Sequence, residues 1–200
     1  MPELTITLRQ ILDAGPCYDP RDRGLLEKDH PLDAPISLLD IYTVCGYLDT
    51  VWCFAAVANE QMILDFMVKY VARITGLLPI ELKAQCEYLL DRIREYVDGK
   101  ASFEDLLFDM DLYKDLAESA SPDSYNSYRA MQAAHVTIDM TRLEISSLRA
   151  AEALAWEQTE QAVADGTLRE GLYSRFLEMA ITEQVNDLFE IIGIRGTNED

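Results

Sequence analysis

The longest hydrophobic stretch of the chain lies in residues 48–76. Residues 51–57 are apolar without interruption, which is typical of a helix buried on most of its circumference. The polar step at residues 58–61 predicts a break before a second helix. No apolar run exceeds ten residues, which is too short to cross a bilayer. We therefore expect a pair of core helices around which the others pack, with Trp52 buried between them.

Capping residues and helix breakers predict the other helices. Ser37 and Ser102 each stand three positions before an acidic residue, a pattern found where helices begin. Pro and Gly mark further boundaries. The predicted helices are 5–13, 37–46, 79–99, 102–119, 167–192, and a stretch over 122–165 that forms either two helices or one sharply bent helix. In the helix after Pro79, the apolar residues at three-and-four spacing are Ile80, Ala84, Tyr88, Leu89, Ile93 and Val97.

The pattern as a whole predicts an all-α protein, because no segment alternates strictly enough to indicate a strand. We expect a single helical bundle or stacked-helix domain of about seven to eight helices. Residues 1–36 form a short helix and a Pro-rich loop, residues 37–192 the helical domain and residues 193–200 a tail. The loop contains Arg21, Arg23, Lys28 and His30, which we expect to pair with acidic groups of the same chain.

Net charge narrows the choice of partners. The formal charge is −19, and it is spread along the chain rather than held in one tail. Nucleic acid and anionic lipid attract proteins of the opposite sign, so neither is expected as a direct partner. A spread negative charge suits a protein partner with a basic surface.

The cysteines and histidines do not indicate a metal or cofactor site. Four Cys form no C-x-x-C pair and the two His are far apart. We interpret Cys45, Cys53 and Cys86 as small core residues of a reduced protein in the cytoplasm of a host cell. Phosphate-binding and nucleophile motifs are not found, and no metal or cofactor is expected.

Several stretches resemble a family of small phage and prophage proteins. They are TLRQILDAGPC at residues 7–17, APISLLDI at 34–41, DTVWC at 49–53 and YVDGKASFED at 96–105. That family is similar in turn to alanine-rich immunity proteins of bacterial toxin systems. The resemblance covers the first half. In the second half we expect the bulkier Met131, Met140, Leu143, Leu148 and Trp156 to replace alanine-rich packing. The resemblance implies a mobile-element origin and no catalytic residues.

The helix over 102–119 has the sharpest pattern of charge. At 100° per residue, Glu104, Asp111, Asp115 and Glu118 fall within about 60° of one another, with Asp105 and Asp109 beside them. The opposite side consists of Leu106, Met110, Tyr113 and Ala117. The acidic side is either a solvated surface or a docking surface for a partner rich in Lys and Arg.

Tyrosine is the second candidate for partner binding. Tyr125 and Tyr128 follow the predicted turn at Ser121 and Pro122, and tyrosine gives a large contact area at low entropic cost. Most of the other tyrosines are expected to be half-buried, with their hydroxyl groups in water.

The carboxylate pairs Glu157/Glu160 and Asp187/Glu190 suggest a possible metal site. Pairs at this spacing on two antiparallel helices hold cations in some all-α enzymes. The helical wheel counts against the site, because Leu148, Ala151, Leu154, Ala155 and Ala162 define the buried arc and place Glu157 and Glu160 away from it.

Three functions follow from these observations. The first is a phage-encoded, non-enzymatic inhibitor that binds a host nucleic-acid-handling defence complex, similar to an anti-CRISPR protein, through its acidic surface. The second is an immunity protein that neutralises a toxin by direct binding. The third is a carboxylate-metal nucleotide hydrolase, which lacks a complete ligand set in the sequence.

Overall fold

A computed structural model describes residues 4–16, 19–22, 26–27, 29–122, 125–136, 143–167 and 170–193. Within these residues the protein is predominantly helical, as the sequence predicts. The elements are β1 (Thr5–Thr7), α1 (Leu8–Asp13), β2 (Pro35–Ser37), α2 (Leu38–Cys45), α3 (Tyr47–Val57), α4 (Glu60–Ile74), a short 3-10 turn (Thr75–Leu77), α5 (Ile80–Val97), α6 (Phe103–Ser119), α7 (Tyr125–Val136), α8 (Leu143–Ala164) and α9 (Leu172–Ile191).

Side-chain caps set the starts of several helices. Ser37 accepts a hydrogen bond from the backbone N–H of Asp40 at the start of α2, and Ser102 accepts one from Asp105 at the start of α6. Asn59 caps α4 in the same way. These bonds satisfy donors that a helix leaves unpaired at its first turn. The predicted break after residue 57 is therefore confirmed, and Asn59 explains where the second core helix begins.

The first element differs from the prediction. Residues 5–7 form a strand rather than the start of a helix, and they pair antiparallel with residues 35–37. Ile6 and Ile36 lie opposite each other and both are buried. Thr7 ends the strand and caps α1. This pairing places side chains from residues 1–36 in the same core as the later helices.

Two helices lie at the centre, of which the sequence indicated one. Helix α4 packs against α5, α8 and α9, whereas α8 packs against α3, α4, α7 and α9. Apart from Leu143, the buried residues of α8 are small: Ser146, Ser147, Ala150, Ala151, Ala153 and Ala155. Those of α7 include Ala130, Ala133 and Ala134. The expectation of bulkier packing in this half is met by Leu143, which is buried, and by Met131, which packs against the core. It is not met by Leu148, which is partly buried, or by Trp156, which is 36 % exposed. Met140 lies outside the described residues.

Helices α7 and α8 are two helices and not one bent helix. They pack against each other, and the hydroxyl of Ser146 on α8 donates to the carbonyl of Ala133 on α7 at 2.7 Å. The proposed weak points Thr137, Ile138 and Thr141 lie outside the described residues. So do residues 194–200 of the predicted tail.

Tyr47 and Tyr70 are more deeply buried than predicted, whereas the burial of Tyr113 agrees with the helical wheel. Tyr47, Tyr70 and Tyr113 are buried. The hydroxyl of Tyr70 donates to Ser146 Oγ at 2.9 Å, and the hydroxyl of Tyr47 donates to Gln184. Buried polar groups need such partners, because leaving water without one costs about 1–3 kcal/mol. These bonds tie α3 and α4 to α8 and α9.

Three predictions of which side chains are buried are wrong in part, on α5, α3 and α8. Helix α5 buries Leu82, Cys86, Leu89, Leu90 and Ile93, while Ile80 is 88 % exposed and Tyr88 47 % exposed. The buried stripe is thus rotated from the predicted one. Trp52 is only partly buried, since it packs against the core on one side and lines a cavity on the other. On α8 the arc is also shifted, since Leu148, Leu154 and Ala162 are only partly buried.

The basic residues of the N-terminal loop pair locally. Arg21 forms an ion pair with Asp19, and Arg9 on α1 forms one with Asp33 at 2.6 Å. His30 is partly buried. Arg23 and Lys28 lie outside the described residues, as does Cys17.

Burial protects two of the cysteine thiols. Desolvation, with a smaller effect from Asp49, raises the pKa of Cys53 to about 12. Desolvation also raises the pKa of Cys86 to about 11. Because the thiolate is the nucleophile, we expect both residues to resist iodoacetamide at pH 8 in the native protein and to react in urea. Mass mapping of the modified peptides measures this, and native labelling of Cys86 at the unfolded rate would contradict its burial.

Among the described helices, none combines the length and apolar character needed to cross a membrane.

Candidate protein-binding face on helix α6

Helix α6 lies at the edge of the bundle. It packs mainly against α5 and touches α7 at a few positions. Its inner residues Leu106, Met110, Tyr113 and Ala117 are buried, as the wheel predicts. Most of the rest of its circumference faces outward, which leaves α6 open to a partner.

Four acidic residues form the acidic ridge of α6: Glu104, Asp111, Asp115 and Glu118. All four are exposed, as is Asp105 beside them. Over residues 103–119 the helix has six carboxylates and one lysine, Lys114. Like charges at helical neighbour spacing destabilise a helix by a few tenths of a kcal/mol per pair. The negative potential of this ridge extends into solvent over about 10 Å at 0.1 M salt.

Asp109 does not belong to this surface. It is buried, and its carboxylate accepts a hydrogen bond from Arg92 Nε at 2.9 Å. Arg92 also pairs with Glu95 on its own helix. The predicted docking role of Asp109 is therefore replaced by a structural one, because its charge is neutralised where α6 meets α5.

An exposed row of apolar side chains runs beside the acidic ridge. It consists of Phe108, Leu112 and Leu116, which are 71 %, 43 % and 38 % exposed. We call this row the apolar stripe. Residues four apart on a helix are neighbours, so the three side chains are consecutive, and Phe108 lies about 40° from Glu104 on the wheel. The four-residue spacing is present in the sequence, but the wheel analysis assigns only the opposite side as apolar.

Tyr128 is exposed on α7, the helix that follows. Its side chain is 46 % exposed, and its hydroxyl accepts a hydrogen bond from Gln132 Nε2 at 2.8 Å. Tyr125 begins α7, and the placement of its side chain lies outside the described part of the chain. The structure thus leaves Tyr128 accessible, on a helix in contact with α6.

The carboxylates of the alternative metal site are far apart. On α9, Asp187 pairs with Arg73 and Glu190 pairs with Lys69 of α4. Near the other end of α9, Tyr173 stacks on Trp156, the neighbour of Glu157, with ring centroids 4.7 Å apart. Tyr173 and Asp187 are fourteen positions apart on α9, a distance of about 21 Å along the helix axis. The pair Glu157/Glu160 therefore lies far from the pair Asp187/Glu190. The described residues contain no group of acidic, His and Cys side chains able to hold a metal.

Comparison with protein-family models, with curated proteins and with solved structures found no significant match to this chain. The resemblance to small phage proteins therefore stays a prediction.

Proposed function

We propose that this chain is a non-enzymatic binding protein that docks the outer side of α6 on a basic surface of another protein. The observation that carries the proposal is the apolar stripe next to the acidic ridge. Charged side chains are enough for a helix surface that only faces water, and such a surface has no need of exposed apolar residues. A row of exposed Phe and Leu adds surface that gains free energy when a partner covers it, at about 25 cal/mol per Å².

The two parts of this surface have different roles in binding. Exposed charges accelerate encounter with a basic partner and orient it. Aromatic and apolar side chains supply contact energy once water is expelled, and they are typical of interface centres. Phe108, the most exposed of the three, is the natural anchor. The partner is expected to present an apolar groove bordered by Lys or Arg.

The partner class we favour is a nucleic-acid-handling defence complex of a host cell. Such complexes bind phosphate backbones through basic grooves, so an acidic inhibitor can occupy the same place. The resemblance to phage proteins supports this choice, and it leaves a toxin with a basic active site as the alternative partner. Under either interpretation the chain acts by occupying a surface and performs no reaction.

Reversal of the acidic ridge tests the proposal. We expect the variant Glu104→Lys, Asp111→Lys, Asp115→Lys, Glu118→Lys to keep its fold, since these positions are exposed and the helix propensities are similar. A partner captured from host lysate by the parent chain should bind the variant about a hundredfold or more weakly at 50 mM salt, because attraction becomes repulsion. Titration of the purified partner at 50 to 500 mM salt measures both affinity and its salt dependence.

A matched control separates this surface from net charge. Asp13, Glu27, Glu170 and Glu178 are exposed and lie outside α5, α6 and α7. Their reversal to Lys changes the charge equally, since four reversals of two charges each bring −19 to −11. This control should bind within a few-fold of the parent, and Phe108→Ser should weaken binding with little change in salt dependence. Equal binding by the reversed ridge and the parent would refute the proposal.

A further inference from the structure

Helix α5 has an exposed apolar row in addition to its buried side. The row consists of Ile80, Ala84 and Tyr88, which are four residues apart and all exposed. Ile80 is 88 % exposed and Tyr88 47 % exposed. The three positions span about 80° of the helical wheel, and the buried Leu82 and Ile93 lie on the opposite side of the helix. We call these three residues the α5 row.

Two contacts fix the position of the α5 row relative to α6. The rings of Tyr96 and Phe103 have their centroids 5.6 Å apart, and Arg92 Nε donates to the carboxylate of Asp109 at 2.9 Å. Residue numbers therefore rise along α5 in the direction in which they fall along α6, so the two helices are antiparallel. It follows that Tyr88, one turn before Arg92, lies at the level of the α6 turn that comes after Asp109.

The α5 row and the apolar stripe flank this contact on its solvent side. On α5, Tyr88 is about 40° from Arg92 on the wheel. On α6, Leu112 is about 60° from Asp109. Tyr88 and Leu112 are both exposed, so they lie on the side of the contact that is away from the core. The groove between α5 and α6 therefore has apolar side chains along both of its sides.

The two edges of this combined surface differ in charge. The edge on α6 is the acidic ridge. The edge of α5 that is farther from α6 has two cations and two carboxylates, all exposed: Lys83, Glu87, Asp91 and Arg94. Of the remaining exposed carboxylates of α5, Glu95 pairs with Arg92, and Glu81 lies in the first turn. The surface is therefore strongly acidic along α6 and close to neutral along the far edge of α5.

We propose that α5 and α6 form one docking face, and that the partner covers the α5 row with one side of the same apolar groove that receives α6. This inference rests on the proposed function. When α6 lies in the partner's groove, one side of the groove meets the acidic ridge and the other side enters the space between α6 and α5. The Lys and Arg of the partner therefore line the first side, and the second side is apolar. A second copy of this chain brings a net charge of −19, which disfavours it as the partner.

A synthetic peptide of known chemistry tests the docking face. The probe is a helical peptide of Leu, Lys and Ala, about 20 residues long, with Leu along one side and Lys beside it. Its control has the same composition in scrambled order, which keeps the charge and removes the apolar side. Backbone amide NMR spectra of the isotope-labelled chain, recorded at about 0.15 M salt to limit long-range attraction, locate the contact. We expect the probe to bind about tenfold more tightly than the control and to shift amides of both the α5 row and the apolar stripe.

Three variants separate the contribution of α5 from that of α6. Ile80→Ser/Tyr88→Ser should weaken binding of the probe about tenfold without changing its salt dependence, because no charge is altered. Phe108→Ser should weaken binding as well, since α6 belongs to the same face. Val163→Ser/Met179→Ser, at positions of α8 and α9 that are each 48 % exposed, is the matched control and should bind as the parent does. If Ile80→Ser/Tyr88→Ser loses its circular dichroism spectrum, the amide shifts of the parent chain decide.

The inference fails, and the proposed function stands, if Phe108→Ser weakens binding while Ile80→Ser/Tyr88→Ser does not, or if the probe shifts amides of α6 alone. Unchanged affinity in both variants contradicts the inference and the proposed function together. Equal binding of the probe and the scrambled control would indicate attraction by the charge of −19 alone and would overturn the inference. Self-association in sedimentation runs that Ile80→Ser/Tyr88→Ser abolishes would identify a second copy as the partner, which also overturns it.

Discussion

Phe54→Ala should lower the free energy of unfolding by about 3–5 kcal/mol, the range for loss of a fully buried aromatic ring. Phe54 on α3 has no exposed surface. Its ring lies edge-on to Phe66 of α4, with the ring centroids 5.8 Å apart. The rings of Phe66 and Tyr70 are arranged in the same way, with centroids 5.4 Å apart. Truncation leaves a void in this aromatic cluster, where close-packed neighbours can relax only partly. Urea denaturation followed by circular dichroism measures the change.

Trp52→Ala provides the comparison for Phe54→Ala. Trp52 is larger, but it is partly exposed and already borders a cavity, so its removal creates less new void in the core. We expect Trp52→Ala to lower the free energy of unfolding clearly less than Phe54→Ala does. A larger cost for Trp52→Ala would mean that α3 is rotated from its described orientation, and a near-neutral Phe54→Ala would exclude the aromatic cluster as a core.

Arg73→Met should lower the free energy of unfolding by about 2–4 kcal/mol. Arg73 of α4 pairs with Asp187 and lies 3.5 Å from Glu183, both on α9. The Asp187 side chain is 14 % exposed, so removal of Arg73 leaves a mostly desolvated carboxylate without its cation. Breaking one side of a buried pair costs about 3–5 kcal/mol, and the partial exposure of Arg73 reduces that value. Urea denaturation of the variant gives the measurement.

Two matched variants make the Arg73 result specific. Arg94→Met removes an arginine from the pair with Asp91, in which both side chains are more than half exposed, and should cost less than about 1 kcal/mol. Adding Asp187→Asn to Arg73→Met should recover part of the loss, because the unpaired charge is removed with its partner. Equal costs for Arg73→Met and Arg94→Met would show that the α4–α9 pair contributes no more than a surface pair.

Most helix boundaries follow from local sequence. Ser37, Asn59 and Ser102 cap helices whose starts the structure confirms, because capping depends on neighbours within three positions. The wheel of α6 also identified its buried side, since one dominant apolar arc was present. The strand at Thr5–Thr7 was not identified, because its partner lies about thirty residues away and each strand has only three residues.

The outer side of α6 shows how much about side-chain exposure can be predicted from the sequence of one helix. Spacing placed Glu104, Asp111, Asp115 and Glu118 on one side, where the structure exposes them. Spacing alone could not show that Asp109, predicted to lie beside them, is buried and paired with Arg92, because Arg92 belongs to another helix. Nor did it show that Phe108 would be left uncovered, because exposure depends on which helices pack nearby.

The sequence by itself determined the helical class and most of the helix limits, because these depend on bonds between near neighbours. The tertiary structure alone decided that α8 is central, that Trp52 lines a cavity and that Ile80 faces solvent. Hydrophobicity ranks a residue by its own side chain, whereas burial depends on the approach of other helices. Ala150 and Ser146 are hidden because their small size lets α7 and α9 come close, and no pattern within α8 specifies that approach.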